Sequence, residues 1–178
     1  MTKEEFIKKY YNFANAASKN TGISPILILA QAYLESGGAK SILTTKYNNF
    51  FGIKSSSSWT GKTVNLKTRE QTKEGKDYFI TATFRVYNSP ADSFADHIKF
   101  LQTNPRYKKA GLFLNPNNYA KQADSLQAAG YATDINYSKV LKDVGNNFVT
   151  TLKKINPITT GAAVLPLIFL FLAAKTIL

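Results

Sequence analysis

One glutamate carries most of the chemistry that the first half of this chain offers. Between Glu5 and Glu70 the only acidic residue is Glu35. It closes Pro25-Ile-Leu-Ile-Leu-Ala-Gln-Ala-Tyr-Leu-Glu35, a segment apolar on every face and stopped by Gly37-Gly38. The side chain therefore stands on the last turn of a helix that must be buried. Burial disfavours a carboxylate, and the negative end of a helix dipole disfavours it again. Both effects raise the pKa, and a carboxyl held protonated near neutral pH suits general acid catalysis. Local physics leaves a second reading open, a glutamate that merely emerges at a helix end.

The remaining inventory narrows the chemistry by exclusion. The 178 residues include no cysteine and one histidine, His97. Disulfides and a thiol nucleophile are excluded, a multi-histidine metal centre is disfavoured, and no cofactor is expected. His97, beside Ile98 and near Leu101, reads as structural rather than catalytic. The net charge of +12, from 23 basic and 11 acidic residues, implies an anionic partner. The lysines fall in ones and twos along residues 3–154 and no nucleic-acid module is present, which favours an acidic wall polymer over nucleic acid.

The elements that must position Glu35 are legible from periodicity. Thr2 and Glu5 form a capping box ahead of Phe6, Tyr10, Phe13 and Ala17, and Gly22 ends that helix. Ser24-Pro25 opens the buried helix. Residues 39–61 read as irregular. Tyr78–Tyr87 alternates, with Ile80, Ala82, Phe84 and Val86 on one side, and pairs as a hairpin with Lys62–Thr68 across the polar segment Glu70–Lys76. Ser89-Pro90 opens a helix with Phe94, Ile98 and Leu101. Asn117–Ala129 forms another closed by Gly130, and Asp134 caps a last one with Tyr137, Leu141, Val144, Phe148 and Leu152. The fold class is α+β, mainly helical, with a small β-hairpin lobe inserted between the second and third of these helices.

Beyond Glu35 come Asn48-Asn49-Phe50-Phe51-Gly52-Ile53-Lys54, Thr68-Arg69-Glu70, Phe84-Arg85-Val86-Tyr87-Asn88-Ser89 and Ser93-Phe94-Ala95-Asp96-His97. Asn104-Pro105-Arg106-Tyr107 and Gly130-Tyr131-Ala132-Thr133-Asp134 follow. This ordered set, over about residues 4–152, resembles glycoside hydrolase family 73, the N-acetylglucosaminidases of flagellar rod-cap hydrolases, autolysins and phage lysins. The resemblance implies a lysozyme-like α-domain, a glycan groove beside the β-lobe, and Glu35 as proton donor to the glycosidic oxygen. It also implies Glu70 as the second carboxylate, with Glu74 as the lesser candidate, and Tyr131 as an active-site tyrosine facing Glu35. Glycosidases need that second acid to activate water or stabilise an oxocarbenium-like transition state. Two departures stand out: Gly37-Gly38-Ala39-Lys40-Ser41 after the catalytic Glu-Ser, and Gln71 where an aromatic often follows.

Sugar rings present apolar faces, so Tyr47, Phe50, Phe51 and Trp59 are candidates to line the groove. Phe51 and Trp59 are the preferred pair for the core instead. Asn48 and Asn49 are candidates to hydrogen-bond acetamido groups, or only to shape the turn. The implied partner is bacterial peptidoglycan, cut as an endo-β-N-acetylglucosaminidase would cut it. A muramidase or lytic transglycosylase is the nearest rival, and an inactive glycan-binding structural virion protein a more distant one. No secretory signal is visible at the N-terminus. Residues 158–178 carry one charged side chain, Lys175, and are expected to form a transmembrane anchor. The domain is then 1–156 and the anchor 157–178. A membrane-anchored enzyme of a phage virion or bacterial envelope is the expected setting.

Overall fold

The computed structural model describes residues 1–71 and 76–155. Its elements are α1 (Lys3–Ser18), α2 (Pro25–Glu35), α3 (Ile42–Tyr47), β1 (Thr63–Gln71), β2 (Asp77–Arg85), α4 (Pro90–Thr103), α5 (Pro105–Lys109), α6 (Tyr119–Ala128) and α7 (Tyr137–Ile155).

Helix α2 is central because, before its terminal Glu35, it offers no polar face to water. Leu27 through Ala32 are all buried, and α1, α6 and α7 pack around the helix. Phe6, Tyr10 and Ala14 of α1, Phe94, Ile98 and Leu101 of α4, and Leu141, Val144 and Phe148 of α7 complete one core. The capping box of α1 is formed: the Thr2 amide donates to Glu5 Oε2 at 2.7 Å and the Glu5 amide to Thr2 Oγ1 at 3.2 Å. At the start of α2, Ser24 has the backbone of an N-cap but its hydroxyl caps nothing. Instead its amide donates to Gln122 Oε1 at 2.9 Å, while Gln122 Nε2 donates to the Gly22 carbonyl at 2.8 Å. Helix α6 thereby fixes the entry of α2.

The segment expected to be irregular contains α3. Its Ser41 hydroxyl accepts from the Thr44 amide at 3.2 Å, and Asn48, at φ +52°, ends it in the left-handed region that asparagine tolerates. A one-turn element of mixed polarity gives periodicity too little length to register. The same is true of α5, capped by Asn104 and opened by Pro105.

The hairpin is present and longer than expected, with Thr63 opposite Arg85 and Gln71 opposite Asp77. Alternation holds at its base, where Ala82 and Phe84 are buried, and fails outward, where Tyr78, Phe79 and Ile80 are exposed. Beyond the base, no second layer among the described residues covers the sheet, so a buried face has nothing there to pack on. A lone hairpin is marginal in water, and this one is held at its base. Ser55 N donates to the Thr83 carbonyl at 2.8 Å and Arg85 N to the Ile53 carbonyl at 3.0 Å. Asp96 of α4 pairs with Arg85 and accepts from the Tyr87 hydroxyl, each at 2.7 Å.

Among the described residues, no helix is long and apolar enough to cross a membrane. The expected anchor at 157–178, like Glu74, lies outside the described residues.

Candidate active site

Glu35 ends α2 with Ser36 as its C-cap. Its side chain is open to solvent, yet the surrounding protein is dense enough that burial pushes its pKa above the usual carboxylate value. Accessibility and desolvation coexist where a group lies in a concavity rather than on a convex surface. A hydrogen bond from Tyr137 pulls the pKa the other way, with less weight. The Tyr137 hydroxyl donates to Glu35 Oε1 at 3.4 Å, a long contact of the kind that tightens only in a substrate complex. The Gly37 and Gly38 backbones, at φ +59° and +68°, turn the chain sharply away just past the glutamate.

The family resemblance implies Tyr131 opposite Glu35, and periodicity places Tyr137 among the core residues of the last helix. The hydroxyl bonded to Glu35 is that of Tyr137. Tyr131 stacks on Tyr137 with ring centroids 5.4 Å apart and is half-buried. Burial, then the charge of Glu35, raises its phenol well above the ordinary value, so it stays a neutral donor beside the carboxyl. The signal that could have found Tyr137 is its position on the first turn of α7, six residues after Tyr131, but that turn meets α2 only through tertiary packing.

Behind Tyr137 lies a polar chain inside an otherwise apolar core. Gln31 Nε2 donates to the Tyr137 hydroxyl at 3.1 Å, and Gln31 Oε1 is 3.1 Å from His97 Nε2. His97 and Gln31 are completely buried. The His97 ring stacks on Phe51 at 3.9 Å, and burial lowers its pKa to about 3, so it is neutral throughout the physiological range. His97 touches no solvent.

Glu70 lies in β1, opposite Tyr78 in the register. The structure corrects two of the expected sugar contacts. Phe50 is 1% exposed, packed edge-on against Tyr10 and tilted on Phe94. Asn49 is equally buried, and its side chain binds the backbone of Ile53 and Arg85, so it ties loop to strand instead of meeting substrate. Tyr47 is half-buried, and Asn48 uses its amide on the Tyr87 carbonyl at 3.2 Å. Phe51 is core, as preferred. Trp59 is not: it is half-buried beneath the Arg85 guanidinium, 4.7 Å from the ring centroid. It lines a cavity of about 260 Å³ with Arg85, Asp96, Lys99 and Phe100, which Glu35 does not line. No cluster of His, Cys, Asp and Glu able to hold a metal occurs among the described residues.

A half-solvated, pKa-raised carboxyl at the end of a buried helix, with a hairpin lobe inserted after it, is an arrangement fit for proton donation to a leaving oxygen. Known proteins share the sequence pattern and the fold. Residues 11–148 match the family model described as Glucosaminidase, mannosyl-glycoprotein endo-beta-N-acetylglucosaminidase. The peptidoglycan hydrolase FlgJ of Pseudomonas aeruginosa is 36% identical over 83% of this chain and 37% of its own length. The exo-glucosaminidase LytG of Bacillus subtilis is 30% identical over 87% of this chain and 55% of its own. This chain thus spans less than two thirds of either curated relative. The glycoside hydrolase domain of Salmonella typhimurium FlgJ superposes with a TM-score of 0.71 at 32% identity, covering 87% of this chain and 93% of that domain. With its family model matched over most of its length and its fold shared, the chain belongs to the glucosaminidase family.

Proposed function

We propose that this chain is a peptidoglycan hydrolase that cleaves the β-1,4 bond following N-acetylglucosamine within glycan strands, as an endo-glucosaminidase. The observation that carries the reading is the Glu35 carboxyl, desolvated at the end of α2 and held by a tyrosine hydroxyl. A protonated Glu35 gives its proton to the glycosidic oxygen as the bond breaks. Glu70, on the hairpin, supplies the second carboxylate, and Tyr131 presents its neutral phenol to substrate or water. The names of the relatives, a peptidoglycan hydrolase and an exo-glucosaminidase, support the substrate and bond type. The net charge of +12 suits an acidic wall. The apolar sequence 158–178 favours a membrane-anchored setting.

Digestion of purified peptidoglycan, followed by reduction and mass spectrometry, tests the bond. Reduced glucosamine ends are expected; reduced muramic or anhydro ends would transfer the chain to the muramidase and transglycosylase class. Glycan lengths that fall from the start of digestion distinguish internal cleavage from stepwise release at a chain end. Glu35→Gln should lower kcat by about 10²–10⁴-fold, the usual worth of a general acid. Full activity in that variant would sink the mechanism.

A further inference from the structure

The buried chain His97–Gln31–Tyr137 ends on Glu35, and its direction can be deduced. His97 Nδ1 is buried with no hydrogen-bond partner, while Nε2 faces Gln31. An orphaned buried N–H is rarer and costlier than an orphaned lone pair, so the single imidazole proton belongs on Nε2. With Nε2–H donating, Gln31 must turn its oxygen to His97 and its NH₂ to Tyr137. Tyr137 Oη then accepts from Gln31, which leaves its own proton for Glu35 Oε1. Each link forces the next.

We propose that His97 is a positioning residue: through Gln31 it aims the Tyr137 hydroxyl at Glu35 Oε1, so that the catalytic proton resides on Oε2, the oxygen left free for the glycosidic bond. The inference rests on Glu35 being the acid. Reversing the chain would put the proton on Nδ1, with no acceptor, and would let Glu35 spend its proton on Tyr137. A histidine suits the first position because Phe51 stacks flat on its ring at 3.9 Å, with Phe100 nearly parallel farther out at 6.3 Å, and holds it in one plane. The groups that face the Tyr137–Glu35 pair from neighbouring elements are few. Tyr131 stacks on Tyr137, Tyr107 of α5 lies behind Tyr131, and Arg106 sits over the Tyr107 ring. None of these donates to Glu35.

Because His97 is the only histidine, the first link can be read directly in the full chain. Nitrogen-15 spectra of the imidazole should show the Nε2–H tautomer, neutral and unchanged from about pH 5 to about pH 8, the range where an ordinary histidine titrates. The Nδ1–H tautomer, or an imidazolium in that range, would overturn the proposal without any mutation. The second link is tested by the titration of the Glu35 carboxyl, followed by carbon-13 NMR, which does not depend on turnover. Tyr137→Phe removes a bond that favours the carboxylate, so the Glu35 midpoint and the alkaline limb of the pH–rate profile should move up together. His97→Phe, which keeps the stack but frees the Gln31 amide to flip, should move both the same way. It should also lower kcat about tenfold with KM little changed, and the double variant should go no further than Tyr137→Phe. Unshifted titration in His97→Phe, or additive effects, would refute the coupling. If the wild type proves inactive on every glycan while these shifts appear, the functional reading fails and the hydrogen-bond chain stands.

Discussion

Glu35 and His97 are both desolvated, and burial drives them apart: the carboxyl pKa rises above its usual value while the imidazole falls to about 3. Their effects on stability oppose each other. The folded state binds the Glu35 proton more tightly than the unfolded chain, so its contribution is favourable below the unfolded value of 4.5 and is lost as pH rises through the folded pKa. The unfolded chain binds the His97 proton more tightly, so its contribution is complete above 6.5 and is lost as pH falls toward 3. Glu35→Gln should therefore be more stable than wild type near pH 7 and show no gain below the unfolded carboxylate pKa. It should also reveal the full His97 slope, about 1.4 kcal/mol per pH unit. Urea unfolding between those pH values checks both; a variant less stable at neutral pH would contradict the desolvation of Glu35. The acid was legible because a carboxylate alone in a long acid-free, apolar stretch is conspicuous. Tyr137 was not, since its partner lies 102 residues away and only the docking of α7 on α2 joins them. Asn49 and Phe50 escape the sequence for a related reason: an irregular stretch beside a candidate acid looks like a groove, and sequence does not reveal which side chains turn inward.

At the scale of elements, the hairpin was legible from alternation and its anchorage was not. One carboxylate, Asp96, joins the base of the lobe to α4 by accepting from both Arg85 and Tyr87. Arg85 and Asp96 side chains are only 14% and 16% exposed, so deleting the Asp96 carboxylate leaves a guanidinium and a phenol short of a partner in a largely buried site. Asp96→Ala should cost about 2–3 kcal/mol by this reasoning. Asp96→Asn, which keeps one acceptor, should cost less. If Glu70 works from the lobe, loosening its base should also lower kcat more than it raises KM, because closure across the groove becomes a less populated state. Steady-state kinetics on soluble glycan fragments would show this split. Unchanged stability in Asp96→Ala would mean that the backbone bonds at Ser55 and Arg85 hold the lobe unaided.

For the whole molecule, the question is whether residues 157–178 belong to the domain or to a membrane. The core is composed of residues from Phe6 to Phe148, with Leu152 and Ile155 packed against its edge. Each of its helices has neighbours within the described residues. Helix α7 turns Tyr137, Leu141, Val144 and Phe148 inward and ends on exposed Lys153 and Lys154. Those cations complement the negative end of the helix dipole and would meet anionic headgroups if the following apolar run entered a bilayer. Leu152 and Ile155 close the end of α7 on the core while Lys153 and Lys154 point to solvent, an end that a detachable segment would suit. If the run belongs to a membrane, residues 1–156 alone should unfold within about 1 kcal/mol of the full chain, the spread expected for a change outside the core. They should keep the full rate on soluble glycans. Vesicles containing anionic lipid should sediment the full chain and leave the truncated one in solution, even at a salt concentration that screens the full chain's net charge of +12. Loss of folding in the truncated chain would make the run part of the core. Sedimentation of both chains in high salt would place membrane affinity in the domain itself.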